Sequence, residues 1–161
     1  MQCVRDFVGH SYGITDFDIF AFPRQLILSA SDDSTCIVWD LYQLQPLYVF
    51  AQPQNCGAGK CLSICGDKAA LGCYSGAIIL FQCSQEGNLV ALNVLETHKG
   101  AVNCIQLEEN FMASGSSDTT VVLWTKSASS WSPSTVIKHA GPVTSVKFDD
   151  YKVFITCVIL Y

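Results

Sequence analysis

The chain has 161 residues, half of them apolar, 14% charged, and a net charge of −5. That is ample material for a core and too little charge for a disordered chain. The nine Lys and Arg are scattered singly, which excludes the clustered cations that a nucleic-acid surface needs to replace phosphate counterions. No run of 18 apolar residues is present to span a membrane. Met1-Gln2-Cys3-Val4-Arg5-Asp6 lacks the basic-then-apolar layout of a signal peptide, so a cytoplasmic or nuclear protein is expected.

Taken in order, residues 1–8 alternate (Cys3, Val4, Phe7) and read as one strand. Strands follow near 13–20, 25–31, 35–40 and 46–51. Asp32-Asp33-Ser34 supplies the turn between the second and third of these, because short polar side chains bond their own backbone there. Pro23 and Pro46 fall at strand edges, where a missing amide donor does least harm. Residues 52–60 read as a loop. Strands come next at 61–65, 69–73, 77–82 and 89–95, with Gly66-Asp67 and Ser75-Gly76 as turn signals. Val102, Cys104 and Leu107 alternate, Glu108-Glu109-Asn110 turns, and Phe111 to Trp124 gives two more strands. Lys126 to Pro133 reads as an exposed, Ser-rich link before an outer strand near 134–138. Val143 to Phe148 and Val153 to Leu160 close the chain. The nine cysteines sit singly in apolar stretches (Cys36, Cys65, Cys73, Cys83, Cys104, Cys157) without zinc-ligand spacing, and read as core.

Two segments copy each other. Leu28-Ser29-Ala30-Ser31-Asp32-Asp33-Ser34-Thr35-Cys36-Ile37-Val38-Trp39 parallels Ala113-Ser114-Gly115-Ser116-Ser117-Asp118-Thr119-Thr120-Val121-Val122-Leu123-Trp124. Ser stands ten residues before Trp in both (Ser29, Ser114) and Asp six before it (Asp33, Asp118), with a loop His upstream (His10, His98). Trp39 to Phe81 is 42 residues, Phe81 to Trp124 is 43, and His98 to His139 is 41. This period and these four matched positions resemble the WD-repeat family of β-propellers, whose repeats run at ~40–45 residues with four strands to a blade.

The resemblance implies an all-β, incomplete WD-repeat β-propeller over residues 1–161: about three and a half blades of four-stranded antiparallel sheet. Its repeats are 9–51, a degenerate 52–96, 97–138 and a truncated 139–161. Residues 1–8 become the outermost strand of the preceding or closing blade. In the second repeat Leu71 replaces the Ser, Ser75 the Asp and Phe81 the Trp, and no loop His is present. The resemblance also implies a hydrogen-bond network in which the Ser hydroxyl accepts from the indole and donates to the loop His, while the turn Asp holds the other side of the imidazole. Two sets fit: His10, Ser29, Asp33, Trp39 and His98, Ser114, Asp118, Trp124.

Chemical readings fall away one by one. Ser, His and Asp in one repeat suggest nucleophilic catalysis, but their fixed offset to Trp in two repeats makes the role structural. Gly57-Ala58-Gly59-Lys60-Cys61 lacks the first Gly and the Ser or Thr of a phosphate loop. Cys157-Val158-Ile159-Leu160 is not a prenylation box, because Tyr161 follows. The Ser run at 127–132 is a solvated link before it is a phosphorylation site. No catalytic residue, metal ligand or cofactor is expected, and the chain is read as no enzyme.

What remains is a protein-interaction scaffold with protein partners, and no nucleic acid or membrane. Entry loops and tight turns converge on one face, where Tyr12, Asp32, Lys60, Tyr74, Lys99 and Ser117 are the candidate partner-binding residues. Tyr12 and Tyr74 are the first anchors to test, since Tyr is enriched at interface hot spots. The rival reading is the substrate-recognition subunit of a ubiquitin ligase, although no ligase-docking segment is visible. The fourth repeat stops before its third strand, so a fragment or truncated isoform of a longer propeller is expected. Self-association through exposed blade faces is the competing expectation.

Overall fold

The computed structural model describes residues 6–21, 24–128, 130–149 and 153–157. It is built of fourteen strands among the described residues: β1 Ile14–Phe20, β2 Leu26–Ser31, β3 Thr35–Asp40, β4 Pro46–Ala51, β5 Gly59–Cys65, β6 Lys68–Cys73, β7 Ala77–Cys83, β8 Leu89–Glu96, β9 Val102–Leu107, β10 Phe111–Ser116, β11 Thr120–Ser127, β12 Ser130–Lys138, β13 Val143–Phe148 and β14 Val153–Cys157. They form three four-stranded antiparallel sheets, β1–β4, β5–β8 and β9–β12, each laid out in chain order, and a two-stranded sheet of β13 and β14. This is an incomplete β-propeller.

Three readings of the sequence are corrected. Residues 6–8 form no strand, and the rest of the proposed first strand lies outside the described residues, as does Pro23. Gly59 and Lys60 belong to β5 rather than to a loop, because Gly59 pairs with Cys73 across a bulge. The Ser-rich link at 126–133 is instead a hairpin. β11 and β12 extend beyond the apolar core until Ser127 pairs with Ser130, and the connection holds Ala128 at φ 54°. Strand ladders need only backbone donors and acceptors, so a polar run can pair as well as an apolar one. Residues 158–160, read as the end of the last strand, lie outside the described residues.

The middle strands of each sheet carry the core. Cys36 to Asp40 of β3 are all buried, as are Ala69 to Cys73 of β6, because sheets press on both faces. The outer strands β8 and β12 are mostly exposed. Apolar side chains gather in three seams. The first, between the sheets of β1–β4 and β5–β8, holds Leu28, Leu62, Leu71 and Phe81. The second, between β5–β8 and β9–β12, holds Ala70, Leu80, Ile105 and Trp124. The third holds Ala113, Val121, Val143 and Val146. A fully buried ring such as Phe81 contributes ~1.5–3 kcal/mol through area removed from water. Cys36, Cys61 and Cys73 are free thiols packed as small hydrophobes, and burial pushes Cys36 up to about 12. Cys65 and Cys104 are only half-buried.

The innermost strands pack in the order β1, β5, β9, β13. Side chains of each reach sideways to the backbone of the next. Asp16 Oδ2 accepts from the Leu62 amide at 2.7 Å and Asp18 Oδ2 from the Ile64 amide at 2.8 Å. Ser63 Oγ accepts from the Leu107 amide at 2.9 Å. Gln106 both accepts from the Phe148 amide and donates to its carbonyl, each at 2.8 Å. These bonds fix the spacing of the sheets and hence the positions of the loops at their ends.

Every sheet carries a bulge near the loop end of its first strand. Counted one pair inward from it, Phe17 faces Ser29, Leu62 faces Leu71, Ile105 faces Ser114 and Val146 faces Ile155. Leu62, Ile105 and Val146 are buried against the preceding sheet, whereas Phe17 is 61% exposed.

Candidate functional site

The two predicted sets of four residues sit at the loop ends of the first and third sheets. In the third, Trp124 Nε1 donates to Ser114 Oγ at 2.9 Å, and His98 Nε2 lies 2.8 Å from the same oxygen. On the other side of the ring, His98 Nδ1 is 3.2 Å from Asp118 Oδ2. The first sheet repeats this: Trp39 to Ser29 at 2.8 Å, His10 Nε2 to Ser29 at 2.7 Å, and His10 Nδ1 to Asp33 at 3.0 Å. One assignment satisfies every atom. Nδ1 carries the imidazole proton and faces the carboxylate, and Nε2 accepts from the Ser hydroxyl, which in turn accepts from the indole.

Three further partners complete each network, and sequence reasoning did not name them. The Thr120 hydroxyl donates to Asp118 Oδ1 at 2.6 Å, and Thr35 donates likewise to Asp33 at 2.5 Å. The amides of Lys99 and Ser11 donate to the second carboxylate oxygen, both at 2.8 Å. Ser116 and Ser31 accept from the amides of Asp118 and Asp33, each at 3.1 Å. The signal was available, since Ser two before and Thr two after the turn Asp recur in both repeats.

The tight turns need a left-handed residue just before the third strand. Ser34 and Thr119 adopt φ 62° and 73° there, and the second sheet places Gly76 at φ 94°. In that sheet Leu71 and Phe81 stand where Ser and Trp stand elsewhere, both fully buried, so an apolar pair fills the place of a polar one.

The electrostatics follow from burial and bonding. Burial raises the Asp118 carboxyl, but the Thr120 hydroxyl and the Lys99 and Thr120 amides more than offset it and hold the group at about 2. Asp33 is held at about 2 by the same contest, with Thr35, Ser11 and His10 supplying the bonds. Burial pushes His98 down from its ordinary value against the pull of Asp118, which agrees with a neutral ring. Elsewhere Asp40, buried at the end of β3, is paired with Arg24 and accepts the amides of Tyr42 and Gln43.

The candidate partner-binding residues divide into a joined group and isolated ones. Lys60 Nζ stands 5.1 Å above the Tyr74 ring and donates to Asn103 Oδ1 at 2.7 Å. Asn103 Nδ2 donates to Ser117 Oγ at 3.1 Å and to the Val143 carbonyl at 2.7 Å. Lys60, Tyr74 and Ser117 therefore form one ordered patch through Asn103, which sequence reasoning missed because the bond crosses between sheets. Tyr12 is 72% exposed and Tyr74 46%. Asp32 and Lys99 are exposed but stand apart, each seen bonding through its backbone amide: Asp32 to the Gly13 carbonyl, and Lys99 to Asp118. Among the described residues no cluster of three His, Cys, Asp or Glu side chains is arranged to hold a metal ion.

The repeated sheets and networks define a class, and comparison with known proteins places the chain in it. A WD domain, G-beta repeat, matches residues 1–40, and a WD40 repeated domain matches residues 51–158. The chain belongs to the WD-repeat family. It is 27% identical over 131 residues to a guanine nucleotide-binding protein subunit beta of Arabidopsis thaliana, covering 77% of this chain and 34% of that protein. It is 27% identical over 130 residues to mitochondrial division protein 1 of Neurospora crassa, covering 81% and 13%. The chain thus spans about a third or less of the length of these curated relatives. Among solved structures, it matches the computationally designed Ika4 protein with a TM-score of 0.80 at 23% identity, over 98% of this chain and 92% of that one. It matches the WD40 repeats of RRP9 with a TM-score of 0.75 at 21% identity, over 88% and 44%. These likenesses are of fold.

Proposed function

We propose that the chain is a stretch of a longer WD-repeat propeller, a non-catalytic scaffold that presents its loop-end face to protein partners. The observation that carries this reading is the patch of Lys60, Tyr74, Asn103 and Ser117. Its side chains are already held in place before any partner arrives, so little rotamer entropy is left to lose on docking. Tyr12 and Tyr74 offer amphipathic rings at the same face. The absence of catalysis is supported by where the reactive-looking groups lie: Ser114 is fully buried, with its oxygen engaged by an indole and an imidazole. A relative that is itself a subunit of a larger protein is in keeping with a scaffold.

The test is to capture partners with the longer parent protein by crosslinking, then measure their affinity for Tyr12→Ala, Tyr74→Ala and Lys60→Ala variants. Loss of about tenfold or more at Tyr74, without a change in melting temperature, is expected for a hot spot. Partners that bind all three variants as tightly as the parent would remove the loop-end face from the reading.

A further inference from the structure

One residue of each innermost strand stands unpaired in the bulge at its loop end: Thr15 in β1, Lys60 in β5, Asn103 in β9 and Thr144 in β13. Two of them serve as joints between sheets. The Thr15 hydroxyl donates to the Gly59 carbonyl at 2.8 Å, and Asn103 Nδ2 to the Val143 carbonyl at 2.7 Å. In both cases the acceptor is the residue just before the next strand's bulge. By this pattern Lys60 should donate to the Val102 carbonyl, and it does not. That oxygen is met instead by the Cys61 thiol at 3.4 Å, a weak donor, while the ammonium is carried away to Asn103 Oδ1 and the face of Tyr74. Lys60 is half-buried, and among the described residues it makes no ion pair, whereas Arg24 and Lys68 have Asp40 and Asp67 beside them. The flanking sheets β1–β4 and β9–β12 both have all four strands, so this cation sits within the stack and not at an open side of it.

We propose that Lys60 is a receptor for a carboxylate: the side chain of an Asp or Glu in a protein partner that docks on the loop-end face. A half-buried cation held only by a neutral amide oxygen and a ring lacks the counter-charge that would stabilise it most. A second donor stands beside it. The exposed Ser117 hydroxyl accepts from Asn103 Nδ2 at 3.1 Å, and its own hydrogen reaches the Asn103 oxygen only at 3.2 Å, a long bond that a carboxylate oxygen can replace. An acid laid across Asn103 therefore meets an ammonium on one side and a hydroxyl on the other. The single cation specifies a carboxylate over a phosphate, which calls for a cluster of arginines. Arg24, the one described arginine, stands at the opposite end of the sheets, paired with Asp40. Tyr74, 46% exposed beneath Lys60, favours an apolar or aromatic residue next to the acid.

This rests on the loop-end reading, and its failure can be told from the failure of that reading. A random peptide library displayed on phage is selected on the immobilised 161-residue chain. Selected peptides are then labelled and measured singly by fluorescence polarisation against variants of the chain. An Asp or Glu beside an apolar or aromatic residue is expected in the selected peptides. Lys60→Met, or exchange of the peptide's Glu for Gln or Asp for Asn, should weaken binding about tenfold or more, and the two changes together should cost little more than either alone. Lys60→Thr gives β5 the bulge residue of β1, able to reach the Val102 carbonyl, so it should lose the acidic peptides and keep its melting temperature. Peptides that need Tyr74 but carry no acid, or that bind Lys60→Met as tightly, would overturn the proposal and leave the loop-end reading standing. Peptides indifferent to both Tyr74→Ala and Lys60→Met, or no selected peptide, would overturn both. A lowered melting temperature in Lys60→Thr would make Lys60 a joint of the fold and overturn the proposal as well.

Discussion

His98 and Trp124 share one hydroxyl: both rings meet Ser114 Oγ, at 2.8 and 2.9 Å, inside a fully buried pocket. Each partner is satisfied only while the other two are in place. Ser114→Ala strands an indole donor and an imidazole acceptor, and is expected to cost ~1–3 kcal/mol in urea unfolding. The second sheet shows the alternative solution, so Ser114→Leu with Trp124→Phe is expected to cost less than the two single changes added together. Strict additivity in that double-mutant cycle would deny the coupling.

Asp118 binds a turn, a loop and a ring through two oxygens. Asp118→Ala leaves His98 Nδ1 facing no carboxylate, and should destabilise the third sheet by ~1–3 kcal/mol. An unchanged unfolding midpoint would remove the network from the account of stability.

Acid should weaken the fold in two stages. His98 lies below its ordinary value of 6.5 in the folded chain, so the unfolded chain binds more protons as pH falls through 6.5, and stability drops until the folded ring also titrates. Asp33 and Asp118 lie at about 2 against an ordinary 3.8, so their contribution is present above 3.8 and is lost as pH falls toward 2. Chemical unfolding at closely spaced pH values should show both windows. His98→Gln should flatten the upper one and leave the lower.

Gly76 and Thr119 hold the same place in the tight turn at φ 94° and 73°. A Cβ on Gly76 would stand 2.5 Å from the His98 carbonyl oxygen, in a region costly for L-residues. Gly76→Ala is therefore expected to lower stability by more than ~1 kcal/mol, while Thr119→Gly gains backbone ease and loses the entropy advantage of a side chain, coming out near neutral. Thermal melts of the two variants check the difference.

Ile14, Phe17 and Ile19 lie exposed on β1. In isolation the 161-residue chain is expected to associate with rising concentration through this face, and Phe17→Lys to reduce that association. Light scattering after size exclusion decides it, and a monomer at all concentrations would discount the face.

Much of this molecule can be read from its residues, because local chemistry sets it. Asp32-Asp33-Ser34 and Ser75-Gly76 end strands where turn residues must, so most strand limits fall within a residue or two of the reading. The network residues could be found because a rigid strand pair converts a fixed spacing into a fixed contact. What escaped depends on neighbours distant in sequence. Asn103 has no local signature, and acts only because Lys60 and Val143 arrive from adjoining sheets. The Ser127–Ser130 hairpin escaped for a different reason: backbone pairing leaves no hydrophobic pattern to read.

The side-chain-to-main-chain bonds between innermost strands have a direction. Asp16, Asp18, Ser63 and Gln106 supply side chains, and the strand that follows supplies main-chain groups at Leu62, Ile64, Leu107 and Phe148. Main-chain amides are the same in every residue but proline, so the receiving strand places almost no demand on its own sequence. A repeat can therefore do without the polar network, as the second does with Leu71 and Phe81 in place of Ser and Trp, and still be gripped by its predecessor. Apart from the Lys60–Asn103 pair, the stack is held in line by bonds that read only one of the two residues they join.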